Sequence, residues 1–251
     1  MSIDIILILM LFGHIVGDFY LQSNRLVSRK IEKFSAVLLH SIIYLLAVAG
    51  LLFLVIQYSL SLLLSIIFII TIHIAIDSLT RIIHWKPFII DQLLHIASLI
   101  AAWLIWGNTL VSKDFVLWNF NFIPSTPAVT VILGLLLLLK PISLLISSGD
   151  IWDFSKNVPG ESQKGAGKMI GYLERFIIYL LLIFGQYTAI GFIITAKTIV
   201  RFPEISKNIE ISDENYNKNK SGRPANSLAE YYLIGTLLSM VSTFVVYLLF
   251  V

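Results

Sequence analysis

The sequence predicts an all-α fold, a polytopic bundle of about seven transmembrane helices. Three observations carry that expectation. Hydrophobic residues fill 57% of the 251 positions and charged residues only 13%, against roughly 25% charge in an ordinary soluble domain. Long windows hold no Asp, Glu, Lys or Arg, the longest running from Phe34 to Ile76. Turn-forming and charged residues cluster between these windows rather than within them. A soluble enzyme, a disordered tail and a secreted disulfide scaffold are excluded. The chain has no cysteine, so thiolate zinc and iron–sulfur sites are excluded too. A net charge of +3 is too small and too dispersed for nucleic acid.

A crossing helix needs about 20 mostly apolar residues. The first segment runs from about Ile3 to Leu21, interrupted by His14 and Asp18. Its Met-Ser-Ile-Asp start is acidic where a signal peptide would be basic, so it is read as a retained helix. Residues 34–83 supply two segments that turn at Gln57-Tyr58-Ser59. A fourth covers about Phe88 to Gly107, with Asp91 and His95 near its start. Residues 108–127 read as a loop with interfacial aromatics such as Trp118. The fifth segment, about Ala128 to Ile146, contains Lys140-Pro141, the lysine being read as snorkelling or offsetting acidic charge. Phe176 to Ala196 forms a sixth uncharged run and Tyr231 to Val251 a seventh. Residues 1–107 are thus read as a four-helix membrane core. Residues 108–251 add further membrane helices, with polar loops at 147–169 and 201–228.

Lys and Arg in short loops set orientation. Arg25, Arg29, Lys30 and Lys33 follow segment one, Arg81 and Lys86 follow segment three, and Lys156, Lys164 and Lys168 follow segment five. Those loops are expected in the cytoplasm and the N-terminus outside. Strict counting of seven crossings then leaves Arg201, Lys207, Lys218, Lys220 and Arg223 outside. Either that longer loop escapes the rule, or segment five or six is re-entrant.

The chemistry lies in the histidines and aspartates. His14 and Asp18, His73 and Asp77, and Asp91 and His95 are each four apart, one helical turn on one face. Segment two adds His40. Counted from the expected cytoplasmic ends, all seven fall within a slab about 5–15 Å below that boundary. A central Asp opposes insertion by roughly 2.5–3.5 kcal/mol, and three together repel one another unless a cation compensates. Imidazole and carboxylate donors suit a divalent metal: zinc first, with manganese or iron as alternatives. The expected ligands are therefore His14, Asp18, His40, His73, Asp77, Asp91 and His95, as a dinuclear site or as one metal with supporting partners. Asp18, Asp91 and Glu174 are the candidate acid–base groups. Gln22, Gln92 and Arg175 are the candidate substrate contacts, although Glu174-Arg175 also reads as an interfacial ion pair. Haem fits poorly, because histidines at one level allow at most one haem plane and the carboxylates go unexplained. Gln186 is expected to hydrogen-bond a neighbouring helix, and His84 to lie in an interfacial loop outside the site. Gly160 to Lys168 lacks the Walker A spacing and a preceding strand, so no nucleotide loop is read there.

At His14-Ile-Val-Gly-Asp-Phe-Tyr-Leu-Gln22, Leu39-His40, His73-x3-Asp77 and Asp91-Gln92-x2-His95, the sequence resembles a family of bacterial inner-membrane proteins of unknown function. The likeness covers about residues 8–105. Gly167 to Arg175 and Gly185 to Phe192 are similar to the C-terminal half of longer members. The resemblance implies a bacterial cytoplasmic membrane and no activity. The segment His73-Ile-Ala-Ile-Asp77-Ser-Leu-Thr80 also resembles the His-x3-Asp-x2-Thr stretch of LexA-regulated inner-membrane metal-dependent hydrolases. That likeness implies ligand roles for His73 and Asp77 alone, since the paired-histidine motif of those enzymes is absent.

The expected function is a multi-pass membrane enzyme, a metal-dependent hydrolase of a lipid, lipid-phosphate or membrane-embedded amide. Membrane lipids are its expected partners, and no nucleic acid is expected. A transporter or channel using the same residues for a divalent cation or protons is the alternative, and a structural scaffold the second.

Overall fold

The computed structural model describes residues 3–83, 88–110, 126–147, 166–199 and 226–251. Every element among them is helical. Helix α1 (Ile3–Ile15) runs into a π turn (Val16–Tyr20), followed by α2 (Asn24–Glu32), α3 (Phe34–Val55), α4 (Leu60–Ile83) and α5 (Phe88–Trp106). A short 3-10 turn (Gly107–Thr109) closes that run. Then come α6 (Thr126–Leu139), α7 (Pro141–Ser147), α8 (Ala166–Ile183), α9 (Tyr187–Ile199) and α10 (Asn226–Phe250). They form two compact units, Met1–Pro141 and Ile142–Val251. His84, Trp118 and most of the expected loops at 108–127, 147–169 and 201–228 lie outside the described residues.

In the first unit the surface is greasy and the interior is where polar groups gather. Leu46, Leu54, Leu93 and Leu104 stand exposed, whereas His14, His40, His73, Asp77 and His95 are buried. That inversion suits a lipid solvent. Four helices among the described residues are long and apolar enough to cross a membrane, and a fifth crossing arises if α1 and α2 count as one bent span. The chain is therefore read as a membrane protein.

Close packing of α1 on α3 rests on two glycines. A Cβ at Gly13 would stand 2.9 Å from Val48 Cα, and one at Gly17 would stand 2.9 Å from Tyr44 Cδ2 and 3.3 Å from Tyr44 Cα. Small residues four apart let membrane helices approach to backbone contact, which compensates for the weak hydrophobic drive in lipid. Below this contact Met10, Leu52, Ile56, Leu62, Ile69 and Leu99 complete a dry core.

Residues 22–33, expected as loop, instead contain α2, which leaves α1 at 87°. The Ser23 Oγ accepts from Leu26 N–H at 3.3 Å, a side-chain N-cap. Leu26 is buried while Arg25, Arg29 and Lys33 are exposed, the pattern of an interfacial helix. The turn at Gln57–Ser59 is observed, with Ser59 Oγ accepting from Leu62 N–H. Lys140-Pro141 splits segment five into α6 and α7, since proline lacks the N–H that would continue the helical ladder.

The sixth apolar run is not one helix. Gly185 adopts φ +67°, and Gln186 N–H donates to Leu181 O at 2.8 Å while Gly185 N–H donates to Leu182 O at 3.1 Å. This 6→1 and 5→2 pattern is a Schellman stop, which needs the left-handed conformation glycine supplies. Beyond it α9 doubles back, because Lys197 pairs with Glu174 on α8 and Ile190 packs with Ile178 and Leu182. Gln186 lies exposed at the turn and donates to Phe184 O, a local contact rather than the expected interhelical one.

Candidate metal centre

Each element delivers its donor by ordinary helical geometry. His14 sits at the end of α1, Asp18 in the π turn, His40 on α3, His73 and Asp77 one turn apart on α4, and Asp91, Gln92 and His95 on α5. All seven expected ligands and both glutamines converge in the first unit.

At the centre are four atoms. His40 Nε2 lies 3.1 Å from Asp18 Oδ1, 3.2 Å from His73 Nε2 and 3.7 Å from Asp77 Oδ2. His73 Nε2 lies 3.7 Å from both Asp18 Oδ1 and Asp77 Oδ2. Ligands bound tetrahedrally at about 2.0–2.1 Å are separated by about 3.3–3.4 Å, and these five separations straddle that value. Asp77 turns its other oxygen the opposite way, with Oδ1 3.8 Å from His95 Nε2, itself 3.8 Å from Asp91 Oδ2. Asp18, His40 and His73, and separately Asp77, Asp91 and His95, are each close enough to share an ion.

Hydrogen bonding selects between the two sets. His73 Nδ1 and His95 Nδ1 are 3.1 Å apart, so with neutral rings one donates to the other. The ring that donates through Nδ1 leaves its Nε2 bare for a metal, and the ring that accepts keeps its proton on Nε2. Only one of the two imidazoles can then ligate. His73 has three further donors around its Nε2, which favours the set Asp18, His40, His73 and Asp77. His95 Nε2, buried without a hydrogen-bond partner, then directs its N–H between two carboxylates.

A second ring of residues holds these in place. Tyr44 stacks on His73 with centroids 3.7 Å apart and planes at 10°. His14 Nε2 meets Gln92 Oε1 at 3.3 Å, while Gln92 Nε2 donates to Asp91 Oδ2 at 3.1 Å. With its side-chain amide turned to satisfy both ends, Gln22 donates to the Asp18 carbonyl at 2.9 Å and accepts from Lys30 Nζ at 3.1 Å. Lys30 Nζ also donates to Asp77 Oδ2 at 2.8 Å. Lys140 does not offset the acidic cluster by contact. It donates to Phe19 O at 2.7 Å, capping a carbonyl of the π turn, and lies over the Tyr20 ring.

Glu174 and Arg175 take partners within the second unit. Glu174 pairs with Lys197, not with its neighbour Arg175, whose Nη1 donates to Ser239 Oγ at 3.2 Å. Sequence reasoning missed Lys30 and Tyr44. Lys30 was counted only as a topogenic charge. The signals available were the Ser23 cap, which predicts a helix there, and Tyr44 lying four residues after His40.

Residues 6–122 match the family model described as "Protein of unknown function (DUF3307)". That is a likeness to an uncharacterised family, over the part of the chain that carries every residue of the centre. No curated protein and no solved structure matches the chain.

Proposed function

We propose that this chain is a membrane-embedded, metal-dependent hydrolase of a lipid, lipid-phosphate or membrane-embedded amide. The observation that carries this reading is the cluster of Asp18, His40, His73 and Asp77, with both imidazole Nε2 atoms within 3.7 Å of a carboxylate oxygen of each aspartate. Zinc is the first choice, because two imidazoles and two carboxylates match its preference for nitrogen and oxygen donors. A divalent ion there would supply a Lewis acid and bring the pKa of water down to about 7. Asp91 stands outside the four and is partly exposed, so it is the carboxylate placed to take a proton from the nucleophile. Gln92 holds it from one side, and Gln22 lines the approach. Glu174 and Arg175 have no part in this reading.

The test begins with elemental analysis of the protein purified without added metal, then turnover of lipid-phosphate and acyl-amide substrates in proteoliposomes. Stoichiometric metal is expected, with turnover lost in chelator and in Asp91→Asn while the fold persists. Finding no metal, together with unaltered stability in chelator, refutes the reading. Ion movement without hydrolysis would replace it with a transporter.

The finer topology is proposed on the same footing. About seven apolar segments lie in a bacterial cytoplasmic membrane with the N-terminus outside, and the sixth returns to the face it entered. The Glu174–Lys197 pair requires α8 and α9 to run back along each other. Residues 201–228 and their five basic side chains then fall on the same face as residues 147–169, in keeping with the positive-inside rule. The chain has no cysteine, so single cysteines at Ser206 and Ser155 read this directly. Both should react with an impermeant maleimide from the same side, and opposite sides would overturn the re-entrant assignment.

A further inference from the structure

We propose that Lys30 is an internal competitor for the metal, an ammonium bonded to the Asp77 oxygen that the ion would use and expelled when a divalent cation enters. This rests on the reading of Asp18, His40, His73 and Asp77 as the metal ligands. Lys30 Nζ donates to Asp77 Oδ2 at 2.8 Å, and Oδ2 is the oxygen that faces His40 and His73. One oxygen therefore serves two cations, a tethered monovalent one and a free divalent one. They cannot both sit against it, since a dication and an ammonium on a shared carboxylate oxygen are repelled in a medium that screens poorly.

Charge gives the exchange its sense. With the three carboxylates of Asp18, Asp77 and Asp91 ionised, Lys30 brings the cluster from −3 to −2, and one divalent ion in its place brings it to −1. A second divalent ion, with Lys30 still out, would carry it to +1 inside a membrane. Without metal the ammonium is the nearest compensation available, which explains why a lysine reaches into a layer otherwise made of acids and imidazoles. Leaving is also open to it. Its side chain retains 18% exposure and belongs to α2, whose neighbouring Arg29 and Lys33 are exposed. Its second contact, Gln22, lies on the same short link and can follow it outward. Lys30 would thus set a threshold: the centre loads only where the divalent ion is abundant enough to displace the lysine.

The experiment measures Zn²⁺ binding to the purified full chain in detergent by competition with a chromophoric chelator, for wild type, Lys30→Met, Lys30→Arg and Lys33→Met. In parallel, acylation of Lys30 by an amine-reactive ester is read by peptide mass spectrometry with and without Zn²⁺. Lys30→Met should bind Zn²⁺ at least tenfold more tightly than wild type. Lys30→Arg should stay within about threefold of wild type, and Lys33→Met should do the same because its charge makes no contact with Asp77. In wild type, Zn²⁺ should raise Lys30 acylation several-fold and leave Lys33 unchanged. Wild type that binds one Zn²⁺ while Lys30→Met is unchanged or weaker, or Lys30 acylation indifferent to Zn²⁺, overturns the competitor role and leaves the metal site standing. Absence of Zn²⁺ binding in every form overturns both.

Discussion

Replacing Gly13 by alanine should destabilise the protein by about 1–3 kcal/mol, the range for overpacking a tight contact. The new Cβ would lie 2.9 Å from Val48 Cα and 3.1 Å from Val48 Cγ2. The nearer atom is backbone, so no rotamer change removes the clash and the two helices must separate by roughly half an ångström. A gap of that size already forfeits about a quarter of the dispersion energy between the facing atoms, and Met10 and Leu52 lie on the same seam. His14, the next residue, would be carried away from Gln92. Gly50 supplies the control. It is exposed on α3 with nothing within 4 Å of a Cβ, so Gly50→Ala should be neutral or stabilising by up to about 1 kcal/mol from helix propensity alone. Equilibrium unfolding of both variants in one detergent, followed by circular dichroism, gives the comparison. Gly13→Ala as stable as wild type, or both variants shifted in the same direction, would show that glycine there does not set the α1–α3 distance.

Four further outcomes follow from the same geometry. His40→Gln and Asp18→Asn should each weaken Zn²⁺ binding at least a hundredfold by direct titration, whereas His95→Gln should weaken it by tenfold or less. Tyr44→Ala removes the plate on which His73 rests, and loss of a buried aromatic puts the effect at about 3–5 kcal/mol in an unfolding titration. Lys197→Met strands Glu174 in a buried position and should cost about 3 kcal/mol, part of which Glu174→Gln on the same background restores. Lys140→Met leaves the Phe19 carbonyl without its donor and should lower stability by about 1–2 kcal/mol on thermal unfolding, with weaker Zn²⁺ binding through Asp18.

The constellation was legible because the helical repeat and the topology coincide. His14 with Asp18, His73 with Asp77 and Asp91 with His95 follow the helical repeat, and topology puts them at one depth. What composition cannot carry is direction. A run of 21 uncharged residues from Phe176 to Ala196 reads as one crossing, and only the φ of Gly185 reverses it. Nor does hydropathy register a polar helix lying in the interface, so α2 passed for a loop and Lys30 for a loop charge. The Gly13-x3-Gly17 spacing was present in the sequence. Its meaning depended on which helix would lie against it, and that is a tertiary fact. Proposing four ligands out of the seven candidates needed the Nδ1 contact between His73 and His95, which no spacing rule encodes.

The π turn at Val16–Tyr20 has a mechanical consequence. Its Leu21 N–H reaches back five residues to Val16 O at 2.9 Å, so the segment houses one residue more than an α-helix would. Slipping back into the α ladder would turn everything beyond by about 100°, taking Asp18 off His40 and withdrawing the carbonyl that Lys140 holds. The register of the proposed ligands therefore depends on that surplus residue staying in place. Lys140, 121 residues further along the chain, braces the turn from outside through the Phe19 carbonyl.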